Sequence, residues 1–257
     1  MSVTILDKPI INRVELKVKK SDILVIIPAY NEEETIARVV DNLVENYPQY
    51  DYVVINDGSK DKTAEICRAR GFRLLDLPVN VGLAGAVQTG MLYACAHGYD
   101  CVIQMDGDGQ HSPDYIAAML RCIKENDLDL VIGSRFATQK KPKGMRMLGS
   151  RLLQLAMRIT TGETVTDPTS GMRMYGKRLT ALLADSLDLG PEPDTVAYLI
   201  RAGFRFKEVQ VQMSERTAGE SYLSASRAVK YMIHMFVSIL LFQWFRQKPK
   251  FRGENRV

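Results

Sequence analysis

Asp106-Gly107-Asp108-Gly109-Gln110-His111 follows directly on the apolar run Cys101-Val102-Ile103-Gln104-Met105. The run reads as a strand, and the polar residues as the turn that ends it. Two carboxylates alternating with glycines, whose backbone bends without steric cost, can bring hard oxygen ligands to one divalent cation. The carboxyl end of a strand is where open α/β sheets bind their ligands. An Asp/Gly surface turn has the same pattern, so the neighbouring elements must decide between the two. Histidine offers little for a Ser-His-Asp or Cys-His set. His97 ends a helical stretch, His111 closes the Asp/Gly turn, and His234 lies in an apolar segment where a core or interface place is expected.

The elements that position this turn can be read along the chain. Ile23–Pro28 is a β-branched run ending in proline and predicts a buried strand. Glu32 to Val44 carries helical periodicity through Ile36, Val39, Val40 and Leu43, with acidic residues at its start. Tyr52–Asn56 predicts a second strand, closed by Asp57-Gly58-Ser59. Asp61 is placed to cap the helix that follows. Phe72–Leu77 predicts a third strand, Gly82 to His97 a helix, and Cys101–Met105 the fourth strand. Ser112-Pro113 opens a helix to about Glu125. Leu128–Gly133 and Lys207–Met213 read as further strands and Met145–Thr161 as an amphipathic helix. Ala137 to Gly144 is a Lys-rich loop with the character of a lid. Strand and helix alternating over short connections imply a mostly parallel, doubly wound sheet.

The chain has 257 residues, enough for one sizeable α/β domain with an appended segment. Its net charge of +4 is too mild to imply a nucleic-acid partner, and none is expected. Cys67, Cys95, Cys101 and Cys122 show no metal spacing and read as free core thiols in a reducing cytoplasm. Residues 1–21 form an N-terminal arm with no signal-peptide core. Residues 22–225 are expected to be the catalytic domain, and 226–257 an apolar helix with a basic tail. Tyr231 to Phe245 is nearly all apolar, yet shorter than the ~20 residues that cross a bilayer comfortably. Lys230 and Arg246 bracket it, Trp244 sits near one end, and Arg246, Lys248, Lys250, Arg252 and Arg256 follow. The segment is therefore expected to embed in a membrane or to build an oligomer at its surface.

Seven motifs stand in order: Ile27-Pro28-Ala29-Tyr30-Asn31-Glu32, Ile55-Asn56-Asp57-Gly58-Ser59-Lys60-Asp61-Lys62-Thr63, Asn80-Val81-Gly82-Leu83-Ala84-Gly85-Ala86, the Asp106–His111 turn, Gly133-Ser134-Arg135, Asp167-Pro168-Thr169-Ser170-Gly171, and Glu215-Arg216-Thr217-Ala218-Gly219-Glu220-Ser221. Over roughly residues 22 to 225 the chain resembles the family 2 glycosyltransferases of the GT-A fold. More narrowly it resembles the polyprenyl-phosphate sugar transferases typified by dolichyl-phosphate mannose synthase. The first two motifs are widely shared among glycosyltransferases; the last two are much narrower.

The resemblance implies a nucleotide-sugar donor, a polyprenyl phosphate acceptor and Mg²⁺ or Mn²⁺ at Asp106, Asp108 and Gln110. It places Pro28, Tyr30, Glu32, Asp57 and Asp106 along the nucleotide, with Asp57 hydrogen-bonding the base. Arg135, Arg151 and Arg216 become the cations on the acceptor phosphate, where guanidinium groups bind bidentately. Asp108, Arg135 and Arg216 carry catalysis. Arg151 is aligned only by its place on the helix, where Arg146 competes with it. Asp167 either caps a turn or orients a partner. Asn56 stands where relatives often carry aspartate, and Tyr222 where they carry lysine. The Gly190-Pro191-Glu192-Pro193-Asp194 segment looks like that of small bacterial relatives that load N-acetylglucosamine on undecaprenyl phosphate, which favours a UDP-sugar. Work at the cytoplasmic face of the cell membrane is implied, and a homo-oligomer or a small membrane-protein partner would suit it. Two alternatives stay open. One is a transferase acting on a glycan hydroxyl, for which Glu192 or Asp194 would be the base. The other is a silent nucleotide-sugar-binding partner in a membrane complex.

Overall fold

The computed structural model describes residues 21–141, 145–186, 188–214, 225–241 and 245. The order is β1 (Ile23–Ala29), α1 (Ile36–Asn46), β2 (Asp51–Asn56), α2 (Thr63–Ala69), β3 (Leu74–Asp76), α3 (Gly82–Ala96), β4 (Cys101–Gln104), a 3-10 turn at Pro113–Tyr115 and α4 (Ile116–Glu125). It continues with β5 (Leu130–Ser134), α5 (Met145–Thr161), β6 (Arg173–Gly176), α6 (Lys177–Asp185), α7 (Pro193–Arg201), β7 (Phe206–Gln210) and α8 (Ala225–Leu240). The seven strands form one sheet in the order β3-β2-β1-β4-β6-β5-β7. β6 runs antiparallel to both neighbours, while the other pairings are parallel.

The expected mostly parallel α/β sheet is thus present. Central strand β1 shows why its sequence lacks polar alternation. Ile23, Val25 and Ile27 point into a core shared with Ile36, Val40, Ile116 and Met119 of α1 and α4. Leu24 and Ile26 point into the opposite core, with Met91 of α3, Leu179 of α6 and Val196 of α7. Helices cover both faces, so every position on the strand is apolar. Parallel β1, β2 and β4 end on one edge, which is where the polar turns gather.

Several expectations are corrected. Glu32, Glu33 and Glu34 lie ahead of α1, which starts at Ile36 with no acidic residue in its first turn. The N-cap of α2 is Lys62 and not Asp61, although Asp61 Oδ1 accepts from the Thr63 N–H at 3.0 Å. β6, α6 and α7 were not legible as elements. Cys67 and Cys101 are buried free thiols, but Cys95 is exposed and Cys122 half-buried. His234 is exposed rather than core.

The continuous apolar C-terminal helix expected over Tyr231–Phe245 is not found. α8 starts earlier and stops at Leu240, and it is two-faced. Met235, Ser238 and Ile239 are buried, while Lys230, Ile233 and His234 are exposed. One apolar face goes into the domain, where Met235 and Ile239 join the core that α5, α6 and α7 share. Met232 packs so closely on Gly149 of α5 that an added Cβ there would lie 2.6 Å from Met232 Cε. Among the described residues no helix is long and apolar enough to cross a membrane.

Candidate active site

The loops after β1 and β2 are stapled together by polar side chains. Asn31, in the left-handed region at φ 56°, donates its N–H to Ser59 Oγ at 2.9 Å, and its side chain accepts from Lys60 N at 2.8 Å. An Asn tolerates that backbone at little cost. Glu32 N donates to Thr63 Oγ1 at 2.8 Å, and Glu33 N to Asp61 Oδ2 at 3.0 Å. Asp57 is buried. Its N–H donates to Ala29 O, while Oδ1 accepts from Val81 N at 2.7 Å, closing the β3–α3 loop over the end of β2. Pro28, Tyr30, Glu32 and Asp57 are therefore brought to one edge, with Asp57 holding loops together.

The Asp106–His111 turn lies against this assembly. Thr35 Oγ1 donates to Gly107 O at 2.8 Å, and the same hydroxyl is 2.8 Å from Glu32 Oε2. A Cβ on Gly107 would sit 3.3 Å from Pro28 O, a tight contact that glycine avoids. Asp108 is buried, and its Oδ1 accepts from Gln110 N at 3.0 Å. Asp106 N donates to His111 Nδ1 at 3.0 Å, which leaves the ring proton of the neutral tautomer on Nε2, 3.8 Å from Asp106 Oδ2. His111 is thus a positioning residue for Asp106; its place just after the turn was visible in the sequence, its orientation was not.

Among the described residues no group of three or more His, Cys, Asp or Glu side chains is arranged to hold a metal. Asp106 and Asp108 supply hard carboxylate oxygens at one turn. Two such ligands fit Mg²⁺ or Mn²⁺, which commonly complete their shells with substrate phosphates and water.

The cations come from the other half of the sheet. Arg135, just past β5, meets Asp167 in a bidentate fork: Nε to Oδ2 at 2.7 Å and a terminal nitrogen to Oδ1 at 2.9 Å. Asp167 is fully buried and also accepts the Arg135 backbone N–H. Its hydrogen bond holds the guanidinium pKa above the usual arginine value, burial opposing it. Glu208 on β7 accepts the N–H groups of Thr166 and Asp167 at 2.7 and 2.9 Å, fixing the segment behind. Both roles open to Asp167 have a bond to show: the fork orients Arg135, and within the turn Oδ1 accepts from Thr169 Oγ1 at 3.4 Å.

A cavity of about 470 Å³ opens beside this pair, lined by Phe136, Lys140, Lys141, Arg151, Gln154 and Thr166. Lys141 donates to Ser150 Oγ at 2.8 Å and lies 5.5 Å from the centre of the Phe136 ring. Burial lowers its pKa below the ordinary lysine value, Arg135 and Arg151 add to this, and Asp167 and Glu208 oppose. Arg151 reaches back to Lys141 O at 3.3 Å. Sequence reading took Lys141 as part of a lid and missed it; two consecutive lysines after Phe136 were the only signal. Glu208 and Ser150 gave none.

The segment 166–171 connects the two halves. Thr166 lines the cavity, Asp167 holds Arg135, and Gly171 abuts Asp106, where a Cβ would lie 2.8 Å from Asp106 Oδ2. Arg216 and the rest of the Glu215–Ser221 motif, with Tyr222, lie outside the described residues. Asn56 donates to Asp76 Oδ1 at 2.6 Å. An aspartate there would set two carboxylates at hydrogen-bond distance, so the amide is suited to its neighbour.

The family model described as glycosyl transferase family 2 matches residues 24–182. The chain belongs to glycosyl transferase family 2. This glycosyltransferase is 33% identical over 215 residues to undecaprenyl-phosphate mannosyltransferase of Micrococcus luteus, covering 79% of this chain and 87% of the relative. It is 30% identical to polyprenol monophosphomannose synthase of Mycolicibacterium smegmatis, covering 79% and 81%. A third relative is UDP-N-acetylglucosamine–dolichyl-phosphate N-acetylglucosaminyltransferase of Methanococcus voltae, 32% identical over 64% of this chain and 73% of that protein. The chain is thus similar to the polyprenyl-phosphate sugar transferase group. Among solved structures, glucosyl-3-phosphoglycerate synthase from Mycobacterium tuberculosis, in complex with Mn²⁺, uridine diphosphate and glucosyl-3-phosphoglycerate, superposes with a TM-score of 0.62 at 21% identity, over 85% of this chain and 78% of that one. At that identity the likeness is one of fold.

Proposed function

We propose that the protein moves a sugar from a nucleoside diphosphate sugar to the phosphate of a polyprenyl lipid, with inversion at the anomeric carbon, at the cytoplasmic face of the cell membrane. The observation that carries this reading is the segment 166–171: Thr166 lines a cavity with Lys140, Lys141 and Arg151, and Gly171 abuts Asp106. The relatives' printed names support the same acceptor class. Asp106 and Asp108 would hold Mg²⁺ or Mn²⁺, which neutralises charge on a pyrophosphate leaving group. The loops bearing Pro28, Tyr30, Glu32 and Asp57 bind the nucleotide. Arg135, set by Asp167, and Arg151, with Arg216 from the motif beyond Ser214, hold the attacking phosphate.

A phosphate oxygen is anionic near neutral pH and needs no general base, so positioning and electrostatics do the work. A hydroxyl acceptor would need a carboxylate base, and the two candidates are engaged elsewhere. Glu192 accepts the Tyr231 hydroxyl, and Asp194, buried, accepts Ser238 Oγ at 2.7 Å; together they seat α8 on α7. A UDP-sugar is the donor favoured by the Pro-Glu-Pro segment and the Methanococcus relative, with a mannosyl donor as the competing arm. Incubation with a panel of nucleotide sugars and undecaprenyl phosphate, read by mass spectrometry, tests the reading. A glycosylated lipid phosphate is expected; sugar appearing only on glycan hydroxyls, or only donor binding, would overturn it.

A further inference from the structure

A buried chain of polar side chains runs from β6 to Asp106. Arg173, the first residue of β6, stands opposite Gln104, the last of β4, and Tyr175 follows two positions along the same face. Gln104, Arg173 and Tyr175 are 1%, 2% and 3% exposed, whereas the Asp106 side chain is 33% open. A guanidinium only donates and a carboxylate only accepts, so a chain between them has one possible direction. Arg173 donates to Ser170 O at 2.9 Å and to Pro168 O at 3.0 Å, and it also hydrogen-bonds the Tyr175 hydroxyl. Tyr175 in turn donates to Gln104 Oε1 at 3.4 Å. That leaves Gln104 Nε2 to donate to Asp106 Oδ1, at 3.3 Å. Reversing the amide would set its oxygen against the carboxylate, so the buried hydroxyl decides which end of Gln104 faces the site. Burial holds the Tyr175 pKa above the ordinary tyrosine value, the charge and hydrogen bond of Arg173 oppose this, and Asp106 adds to it. The hydroxyl thus keeps the proton that it donates.

We infer that Gln104, set by Tyr175 and Arg173, is the positioning residue that holds the Asp106 carboxylate ready for the divalent cation. The inference rests on the metal role proposed for Asp106. One contact at 3.3 Å orients the carboxylate and leaves that oxygen further lone pairs for a ligand. A buried guanidinium is costly, and an apolar residue would close the sheet without that cost, so the cation is explained by what it aims. It aims on two sides. The carbonyls it grips belong to the neighbours of Asp167 and Thr169, and Asp167 forks to Arg135. One buried cation therefore ties the carboxylate turn to the segment that holds Arg135.

Mn²⁺ binding by the full chain in the presence of UDP, followed through the electron paramagnetic resonance signal of free Mn²⁺, tests this apart from turnover. Gln104→Met, similar in volume but unable to donate, weakens Mn²⁺ binding by about tenfold, as loss of a partner behind a metal ligand does. Tyr175→Phe removes only the hydroxyl and weakens binding by a smaller factor in the same direction. Melting temperatures of the metal-free proteins keep folding separate, and Tyr175→Phe stands as the second arm should Gln104→Met fail to fold. A lowered melting temperature with wild-type Mn²⁺ affinity means that the chain only braces the sheet, and overturns the inference. Asp108→Ala is the control for the reading beneath it. Loss of Mn²⁺ by that variant alone sinks the Gln104 assignment and spares the metal site. Wild-type Mn²⁺ affinity in Asp108→Ala sinks the metal site and the inference with it.

Discussion

At the scale of single residues, the proposed function separates groups that would meet substrate from groups that aim them. Asp108 is assigned to the first kind, and its carboxylate accepts the Gln110 N–H within the turn. Asp108→Ala should lower turnover by roughly a hundredfold or more at saturating Mn²⁺, since it removes charge compensation for the leaving group, and should leave the melting temperature near wild type. Turnover close to wild type would remove Asp108 from the metal site. Asp167 belongs to the second kind: the sequence left open whether it caps a turn or orients a partner, and the fork to Arg135 adds orientation to its bond within the turn. Lys141 gives a pH test. Its lowered pKa follows first from burial, so between that value and the free-lysine value the unfolded chain holds the proton more tightly than the folded one. Stability should therefore rise with pH across that window, while acceptor affinity falls as the cation is lost. Acceptor KM measured against pH should rise below the ordinary lysine range, and Lys141→Arg should flatten the profile. A profile identical in both proteins would place Lys141 outside the acceptor pocket.

At the scale of elements, periodicity carried most of the information and tertiary packing overrode the rest. β1, β2, β4 and α5 were legible because long apolar runs or a clear helical face leave few alternatives. β6 was not, because Arg173 opens a four-residue strand; that arginine is buried by hydrogen bonds to Ser170 O and Pro168 O, which no local pattern announces. The C-terminal segment misled for the opposite reason. Met235 and Ile239 pack into the core beside α5 and α7 while Ile233 and Leu241 stay exposed, a division that hydropathy alone does not give. Gly149 faces Met232 across this packing, and its test belongs here. Gly149→Val should cost about 1–3 kcal/mol by forcing Met232 aside, and Met232→Ala should recover part of the loss in a double-mutant cycle. Chemical denaturation of the four proteins reads this directly; strict additivity would mean that α5 and α8 do not meet there.

At the scale of the molecule, one edge of a mostly parallel sheet gathers a carboxylate turn from one half and cations from the other. The motifs made the first half readable, since each sits at a strand end. The cavity was not readable, because Phe136, Lys141, Arg151 and Thr166 come from separate elements and meet only on folding. On the proposed function the metal sits between the Asp106/Asp108 carboxylates and the donor's phosphates, so it should serve the reaction and not the fold. Chelation with EDTA should abolish transfer while leaving the melting temperature unchanged, and Mn²⁺ should restore it; a large fall in melting temperature would mean a structural ion. On the proposed function the nucleophile is a lipid phosphate oxygen. The most direct test of this is transfer of labelled sugar to undecaprenyl phosphate beside undecaprenol, the same chain ending in a hydroxyl. Label entering the organic phase only with the phosphate is the predicted result, and equal labelling of the alcohol would contradict it.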